Sequence, residues 1–200
     1  RAVLSTTASF KLINSNMAAS LQRVGKQAAV QRDGDYYLKT ISSIKSIDGF
    51  IANDRIYRYA MKAFGLNDMI YAKAFVRKVL TDGIDTSKSF ANQLADPRFR
   101  DLAATFNFKS YGTATTSFDK AQQGVVDKYV RAQLEEQAGA DNEGVRLALY
   151  FSRKASSITS AYSILADPAL LKVAQVALNL PAATSSSAID TQAALLKSKM

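Results

Sequence analysis

Residues 53–83 read NDRIYRYAMKAFGLNDMIYAKAFVRKVLTDG, and this stretch decides the fold class. Its Asn-Asp pair at 53–54 is a good N-cap for a helix, and Gly65 lies where a helix ends most readily in the left-handed conformation. A second Asn-Asp pair, at 67–68, starts another helix, which ends near Asp82-Gly83. Apolar residues recur every three or four positions in both segments, so the stretch predicts an αα-hairpin near 54–82.

Helical periodicity extends over the rest of the chain as well. No run of β-branched residues alternates with polar ones between turn signals, so no strand is predicted. We therefore expect an all-α fold, an irregular multi-helix bundle of about eight to eleven helices, in a single α-helical domain spanning residues 1–200. Besides the hairpin, the pattern predicts helices near 7–25, 36–45, 116–137, 145–153 and 189–200, a short turn capped by Ser46, and a flexible loop at 182–187. An earlier start for the helix at 36–45 stays open.

The tetrad Leu94-Ala95-Asp96-Pro97 is the clearest start signal in the chain. Asp is a preferred N-cap, and Pro at the first helical position gives up an amide that would have no partner anyway. The same four residues recur at 165–168, and an apolar helical stripe follows each copy. A weak internal duplication of the unit at 94–108 and 165–180 would explain the repeat, and so would two independent uses of the same capping chemistry.

The composition excludes several classes of catalytic site. The 200 residues contain no His, Cys or Trp, so imidazole bases, thiol nucleophiles, zinc clusters and iron–sulfur sites are absent. No Gly-rich phosphate loop and no calcium loop are present either. Glu135-Glu136 is interpreted as a solvated helix face. We expect a non-enzymatic protein without cofactor or metal, although catalysis by Asp, Tyr or Ser stays open.

Positive charge is concentrated in the N-terminal part. Residues 1–80 contain 13 Lys and Arg against 5 Asp, whereas residues 81–200 contain 13 against 12 acidic residues. Such asymmetry indicates either a solubility surface or a patch that binds an anion. The candidate anion- or partner-binding residues are Arg55, Arg58, Lys62, Lys73 and Arg77. Tyr57 and Tyr59 interleave with these cations, and their helical positions favour core packing over the stacking of nucleic-acid bases.

The sequence says little about the compartment. The longest uncharged stretch, Val173–Ile189, is interrupted by polar residues and Pro181, so no transmembrane segment is predicted. The cytoplasm is the default location, and export through a flagellar apparatus is the alternative. A first residue other than Met and the lack of a stop signal before Met200 are compatible with a longer natural chain. Nothing in the sequence indicates the oligomeric state.

Two segments carry a family resemblance: IYRYAMKAFGL at 56–66 and YAKAFVRKVL at 71–80. Further segments extend it over nearly the whole chain, namely SFAN at 89–92, QGVVDKYVR at 123–131, NEGVRLALYF at 142–151 and the stretch 164–181. Together they resemble a helical family of unknown function found mostly in alphaproteobacteria, some of whose members are encoded among flagellar genes. The resemblance implies no catalytic residues.

Two functions follow as hypotheses. The first is a helical interaction or structural protein with a protein partner, serving the flagellum as an accessory or axial component. The alternative is a basic anion-binding module for nucleic acid or an acidic protein partner. The candidate cations named above would carry the second function.

Overall fold

The computed structural model describes residues 5–199, and these residues form helices without any strand. Ten of the α-helices have nine residues or more, in agreement with the expected eight to eleven, and the all-α prediction is confirmed. Shorter helices and 3-10 turns connect them. The α-helices of the described residues are α1 (Thr6–Ser15), α2 (Met17–Gly25), α3 (Ala28–Ile41), α4 (Ile47–Ala52), α5 (Asp54–Ala63), α6 (Lys73–Asp82), α7 (Phe90–Gln93), α8 (Pro97–Thr105), α9 (Phe108–Tyr111), α10 (Gln123–Asp141), α11 (Glu143–Lys154), α12 (Ala161–Leu165), α13 (Pro168–Ala177) and α14 (Ile189–Lys199).

The chain divides into two compact units. The central unit comprises residues 18–134, and the terminal unit comprises residues 1–17 together with 135–200. A compact unit need not fold on its own, so the predicted single domain stays a prediction. Each unit is described by itself below.

Large aromatic side chains fill the core of the central unit. Tyr37, Phe50, Tyr57 and Phe106 are fully buried there. The rings of Phe50 and Phe106 lie 4.6 Å apart, and Phe50 also meets Tyr57 edge to face at 6.0 Å. Helix α5 turns one face to this core, because its buried side chains recur at helical spacing. Its charged residues are thereby directed to the opposite face.

Both ends of α5 follow the predicted chemistry. The Asn53 side chain accepts a hydrogen bond from the Ile56 amide, which confirms the N-cap. Gly65 has φ +70°, and the Leu66 amide donates to the Met61 carbonyl at 2.8 Å, as in a Schellman ending. Gly83 likewise ends α6, with φ +64°. The glycines therefore mark both helix ends, as the sequence predicted.

The second helix of the predicted hairpin starts later than expected. Residues Asn67–Met69 form a single 3-10 turn, and α6 begins at Lys73. The Asn-Asp pair at 67–68 therefore serves a turn and not the helix itself. Helix α6 packs mainly on α4, α7, α8 and α9, so its place in the core depends on several neighbours besides α5.

Other predicted boundaries are wrong as well. The helix expected near 36–45 is α3, Ala28–Ile41, which begins earlier, as the sequence left open, and also ends earlier. The helix expected near 7–25 breaks at Asn16, where ψ is 40° and the Ser15 hydroxyl donates to the Leu12 carbonyl in competition with the helix. The long helix expected from residue 116 begins at Gln123, because Phe118 is extended between two 3-10 turns. The expected loop at 182–187 contains a 3-10 helix, Ala182–Ser186. Met200, the predicted end of α14, lies outside the described residues.

The terminal unit has a smaller core of aliphatic side chains. Ile164, Leu170 and Leu196 come from α12, α13 and α14, and alanines on α12 and α14 allow these helices to approach closely. Helix α11 packs against both α1 and α13. Its N-cap is Asn142, whose side chain accepts a hydrogen bond from the Gly144 amide.

Both LADP tetrads begin helices, as predicted. The Asp96 side chain accepts from the Arg98 amide at the start of α8, and the Asp167 side chain accepts from two amides at the start of α13. The carboxylates have different further partners, since Asp96 pairs with the Arg98 guanidinium and Asp167 accepts a 2.5 Å hydrogen bond from the Tyr150 hydroxyl. Capping explains the shared residues, and the internal duplication stays a prediction.

No helix between residues 5 and 199 combines the length and the apolar character that crossing a membrane requires.

Candidate functional site

The five predicted cations lie on the exposed side of α5 and α6, but ion pairs tie most of them to the fold. Arg55 and Arg58 project from α5, and Arg77 projects from α6. Arg77 pairs with Asp48 of α4. Lys62 is half-buried and has no ion pair among the described residues. The structure therefore does not gather the five cations into one free anion site.

Asp54 brings two of the cations together. Its carboxylate lies 2.7 Å from the Arg58 Nε and 3.7 Å from the Lys73 Nζ. The hydrogen bond from Arg58 holds the pKa of the Asp54 carboxyl below its ordinary value, against the opposing effect of burial, and the charges of Arg58 and Lys73 act in the same direction as the hydrogen bond. The Lys73 ammonium also lies 5.4 Å from the centre of the Tyr57 ring. The Lys73 ammonium thus fastens the start of α6 to the start of α5, whereas Arg58 pairs with Asp54 within α5.

Arg55 is placed differently from the other four. One guanidinium nitrogen donates to Asp33 at 3.0 Å, and the guanidinium lies over the ring of Tyr36 with its central carbon 3.9 Å from the ring centre. Both partners belong to α3. The guanidinium is consequently held on one face and at one edge, and its remaining donors have no hydrogen-bond partner among the described residues.

An open groove of about 500 Å³ lies beside Arg55, where α3 and α5 meet. The sequence did not predict that α3 contributes to this groove, although the lining residues of α3 recur every three or four positions along the sequence. Asp35 brings a carboxylate into a groove whose other charged side chains are cationic. The side chains that line the groove include Gln31, Arg32, Asp35, Tyr36, Lys39 and Arg55.

A stack of three tyrosines lies behind this basic face. The ring of Tyr59 lies 4.7 Å from that of Tyr37 and 4.0 Å from that of Tyr129. The Tyr37 hydroxyl donates to the Ala121 carbonyl at 2.6 Å, whereas the Tyr59 hydroxyl is buried without a hydrogen-bond partner. Burial raises the pKa of both hydroxyls, with a further rise from the neighbouring tyrosine. Tyr57 and Tyr59 are therefore core residues, as expected, and do not face a ligand.

The terminal unit contains an ion pair between buried Glu135 and partly exposed Arg153, which the sequence interpretation missed. Glu135, expected on a solvated face, is buried, and the Arg153 guanidinium donates two hydrogen bonds of 2.9 and 3.0 Å to its carboxylate. Burial tends to lower the pKa of Arg153, but the hydrogen bond and charge of Glu135 outweigh it and raise the pKa. Arg153 also lies over the ring of Tyr150, 4.9 Å from its centre. The prediction failed because the partner of Glu135 comes from the next helix.

No group of three or more acidic side chains between residues 5 and 199 could hold a metal ion. The described residues form an all-helical protein. Its central unit is strongly basic, because it contains 18 Lys and Arg residues and 11 Asp.

The chain belongs to the family described as "Protein of unknown function (DUF1217)", whose model matches residues 63–200. Among solved structures it is similar to the X-ray crystal structure of protein AGR_C_984 from Agrobacterium tumefaciens, a structural-genomics target, with 47% sequence identity and a TM-score of 0.90. That match covers 98% of this chain and 83% of the other. No curated protein matches the chain. The predicted resemblance to a family of unknown function is confirmed.

Proposed function

We propose that this chain is a non-enzymatic helical protein that binds another protein, and that it serves the bacterial flagellum as an accessory or axial component. The binding role rests on the exposure of Tyr71, which is 82% exposed. Tyr71 lies in the chain between the 3-10 turn at Asn67–Met69 and α6. Tyrosine is enriched at protein interfaces, because its ring offers a large contact area and its hydroxyl tolerates water.

The backbone around Tyr71 is fixed by hydrogen bonds. The Lys73 amide donates to the Tyr71 carbonyl at 2.9 Å, and the Ala72 amide donates to the Met69 carbonyl at 3.0 Å. A partner that covers Tyr71 would thus order little besides one side chain, and binding would cost little conformational entropy. Exposed aliphatic residues such as Val176 of α13, at 76%, offer further contact area in the terminal unit.

The flagellar part of the proposal rests on the family resemblance of the sequence. Its test is a clean deletion of the gene in the native bacterium, complemented by the wild-type gene or by Tyr71→Ala. We expect the deletion to impair swimming or filament assembly, and we expect Tyr71→Ala to complement poorly. The control is Thr81→Ala, a truncation at an exposed position of α6, which should complement fully. Normal swimming of the deletion strain would overturn the flagellar role.

The second candidate function is an anion-binding module for nucleic acid or an acidic protein. The excess of 18 basic over 11 acidic residues in the central unit favours it. Ion pairs count against it, since four of the five candidate cations already have a carboxylate partner, namely Arg55, Arg58, Lys73 and Arg77. Binding of DNA and RNA oligonucleotides at increasing salt tests the nucleic-acid form, because phosphate contacts weaken steeply as salt rises. An affinity that does not change with salt would remove it.

A further inference from the structure

We propose that the groove between α3 and α5 is a carboxylate-binding site that receives an acidic segment of a protein partner. This inference rests on the proposed protein-binding function and deepens it by naming the surface and its chemistry. It also moves the expected basic site from α5 and α6 to α3 and α5, with Arg55 as the only member of the original set that lines the groove.

Arg55 is prepared to receive a carboxylate. Its contacts with the Tyr36 ring and with Asp33 restrain the side chain before any ligand arrives. Only one nitrogen of the guanidinium is used by Asp33, so the other donors remain for a ligand. Planar guanidinium groups bind carboxylates through two parallel hydrogen bonds, and prior restraint lowers the entropic cost of that geometry.

Two further cations extend the site along α3. Arg32 and Lys39 are exposed, and the nearest carboxylate to Arg32 is Asp33 at 4.0 Å. Lys39 makes no ion pair among the described residues. From residue 28 to residue 39 the helix rises by roughly 16 Å, the length of about five extended residues. The groove thus fits a short peptide segment with acidic side chains at more than one position.

Two features favour a protein segment over nucleic acid. The Arg55 guanidinium covers one face of the Tyr36 ring, so that face is not free to stack on a base. Asp35 also lines the groove and would repel an unbroken row of phosphates. A peptide can set a neutral or basic residue opposite Asp35, which a phosphate backbone cannot do.

The test uses the whole chain and a fluorescently labelled, N-acetylated hexaglutamate peptide, with binding followed by anisotropy at low and moderate salt. The groove variant is R32Q/K39Q/R55Q. The control is K45Q/K88Q/R100Q, which removes the same charge from exposed cations of the central unit that do not line the groove. We expect at least about tenfold weaker binding for the groove variant and less than about threefold for the control, since charge-assisted hydrogen bonds are lost only in the former.

Asp35→Asn is a further variant, which should change the affinity for hexaglutamate in the opposite direction. Removing the Asp35 carboxylate should tighten hexaglutamate binding about twofold to fivefold, because a like charge is lost. Far-UV circular dichroism checks that each variant keeps its helices. Should the triple variant unfold, Arg32→Gln and Lys39→Gln separately carry the test, as neither side chain makes a hydrogen bond within the described residues.

Equal losses for the groove variant and the control would overturn the site, because net charge alone would then explain binding. Tighter binding of oligothymidylate than of hexaglutamate, lost in the groove variant, would overturn the choice of a protein segment. The proposed function fails separately: a deletion strain with normal swimming removes the flagellar role without affecting peptide binding. Peptide binding that is unchanged in the groove variant removes the site without affecting the flagellar role.

Discussion

Tyr59 and Tyr129 stack almost face to face inside the central unit, with ring centres 4.0 Å apart and ring planes within 10° of parallel. Tyr37 covers the other side of Tyr59 at 4.7 Å. The Tyr59 hydroxyl is buried, and it forms no hydrogen bond with any of the described residues. A hydroxyl in that state costs free energy relative to its hydration in the unfolded chain.

Tyr59→Phe is therefore expected to stabilise the protein, by up to about 1 kcal/mol, since it removes a buried polar group without a partner. Tyr37→Phe is the matched control: it deletes the hydrogen bond to the Ala121 carbonyl and should destabilise by about 1 kcal/mol. Urea unfolding followed by far-UV circular dichroism measures both changes. Destabilisation of the same size by both substitutions would contradict the difference between the two hydroxyls.

The two helix-capping aspartates should differ in their contribution to stability. Asp167→Ala removes a buried carboxylate that accepts from two backbone amides and from Tyr150, so we expect a loss of about 2–3 kcal/mol. Asp96→Ala removes a cap whose side chain is 25% exposed, and we expect about 1 kcal/mol. Asparagine at either position keeps a capping oxygen and serves as the control. Thermal and urea unfolding provide the measurement, and a larger loss at Asp96 would refute the ranking.

The Asp54 carboxyl should titrate below its ordinary pKa. Arg58→Gln should raise this pKa part of the way back to the ordinary value. Lys73 remains in place, which is why the return is partial. The folded-state pKa lies below the unfolded one, so the ion pair stabilises the fold above the ordinary carboxyl pKa of 3.8 and stops doing so as the pH falls through the lower value. Carboxyl carbon NMR shifts of the wild type and of Arg58→Gln measure the two midpoints. Identical midpoints would show that Arg58 has no influence on Asp54.

Gly83→Ala and Gly112→Ala should separate backbone strain from crowding. Both glycines have positive φ, at +64° and +52°, with ψ at −150° and −131°, a region that side-chain-bearing residues rarely occupy. A methyl group at Gly112 meets nothing within 4 Å, so its cost is the backbone strain of about 1–3 kcal/mol. A methyl group at Gly83 would also lie 3.0 Å from the Lys109 Cδ, and we expect a larger loss. Equal losses in urea unfolding would mean that Lys109 moves aside freely.

The sequence predicted those features that depend on a few neighbouring residues. Ser46, Asn53 and the two LADP tetrads cap helices as expected, because a cap needs only a side-chain oxygen and the amides two or three residues ahead. Gly65 and Gly83 end helices for an equally local reason. Helical position likewise predicted that Tyr57 and Tyr59 of α5 pack in the core.

Features that depend on contacts between helices were missed or misplaced. Glu135 is buried because Arg153, 18 residues later, supplies a charged partner, and no local pattern signals such a pair. Arg55 is oriented by Tyr36 and Asp33 of another helix, which is why the sequence grouped it with cations of α6 instead of those of α3. The 3-10 turns at 112–121 have no distinctive composition, so the sequence predicted residues 116–121 as the start of α10.

The tyrosine stack has an optical consequence. The chain contains nine tyrosines and no tryptophan, so the phenol rings alone provide its near-ultraviolet chromophores besides phenylalanine. Rings stacked at 4.0 and 4.7 Å in a chiral interior are expected to couple their transitions, whereas exposed Tyr71 should contribute little to the dichroic spectrum. The native protein therefore carries its own spectroscopic probe of packing in the central unit, readable without any label.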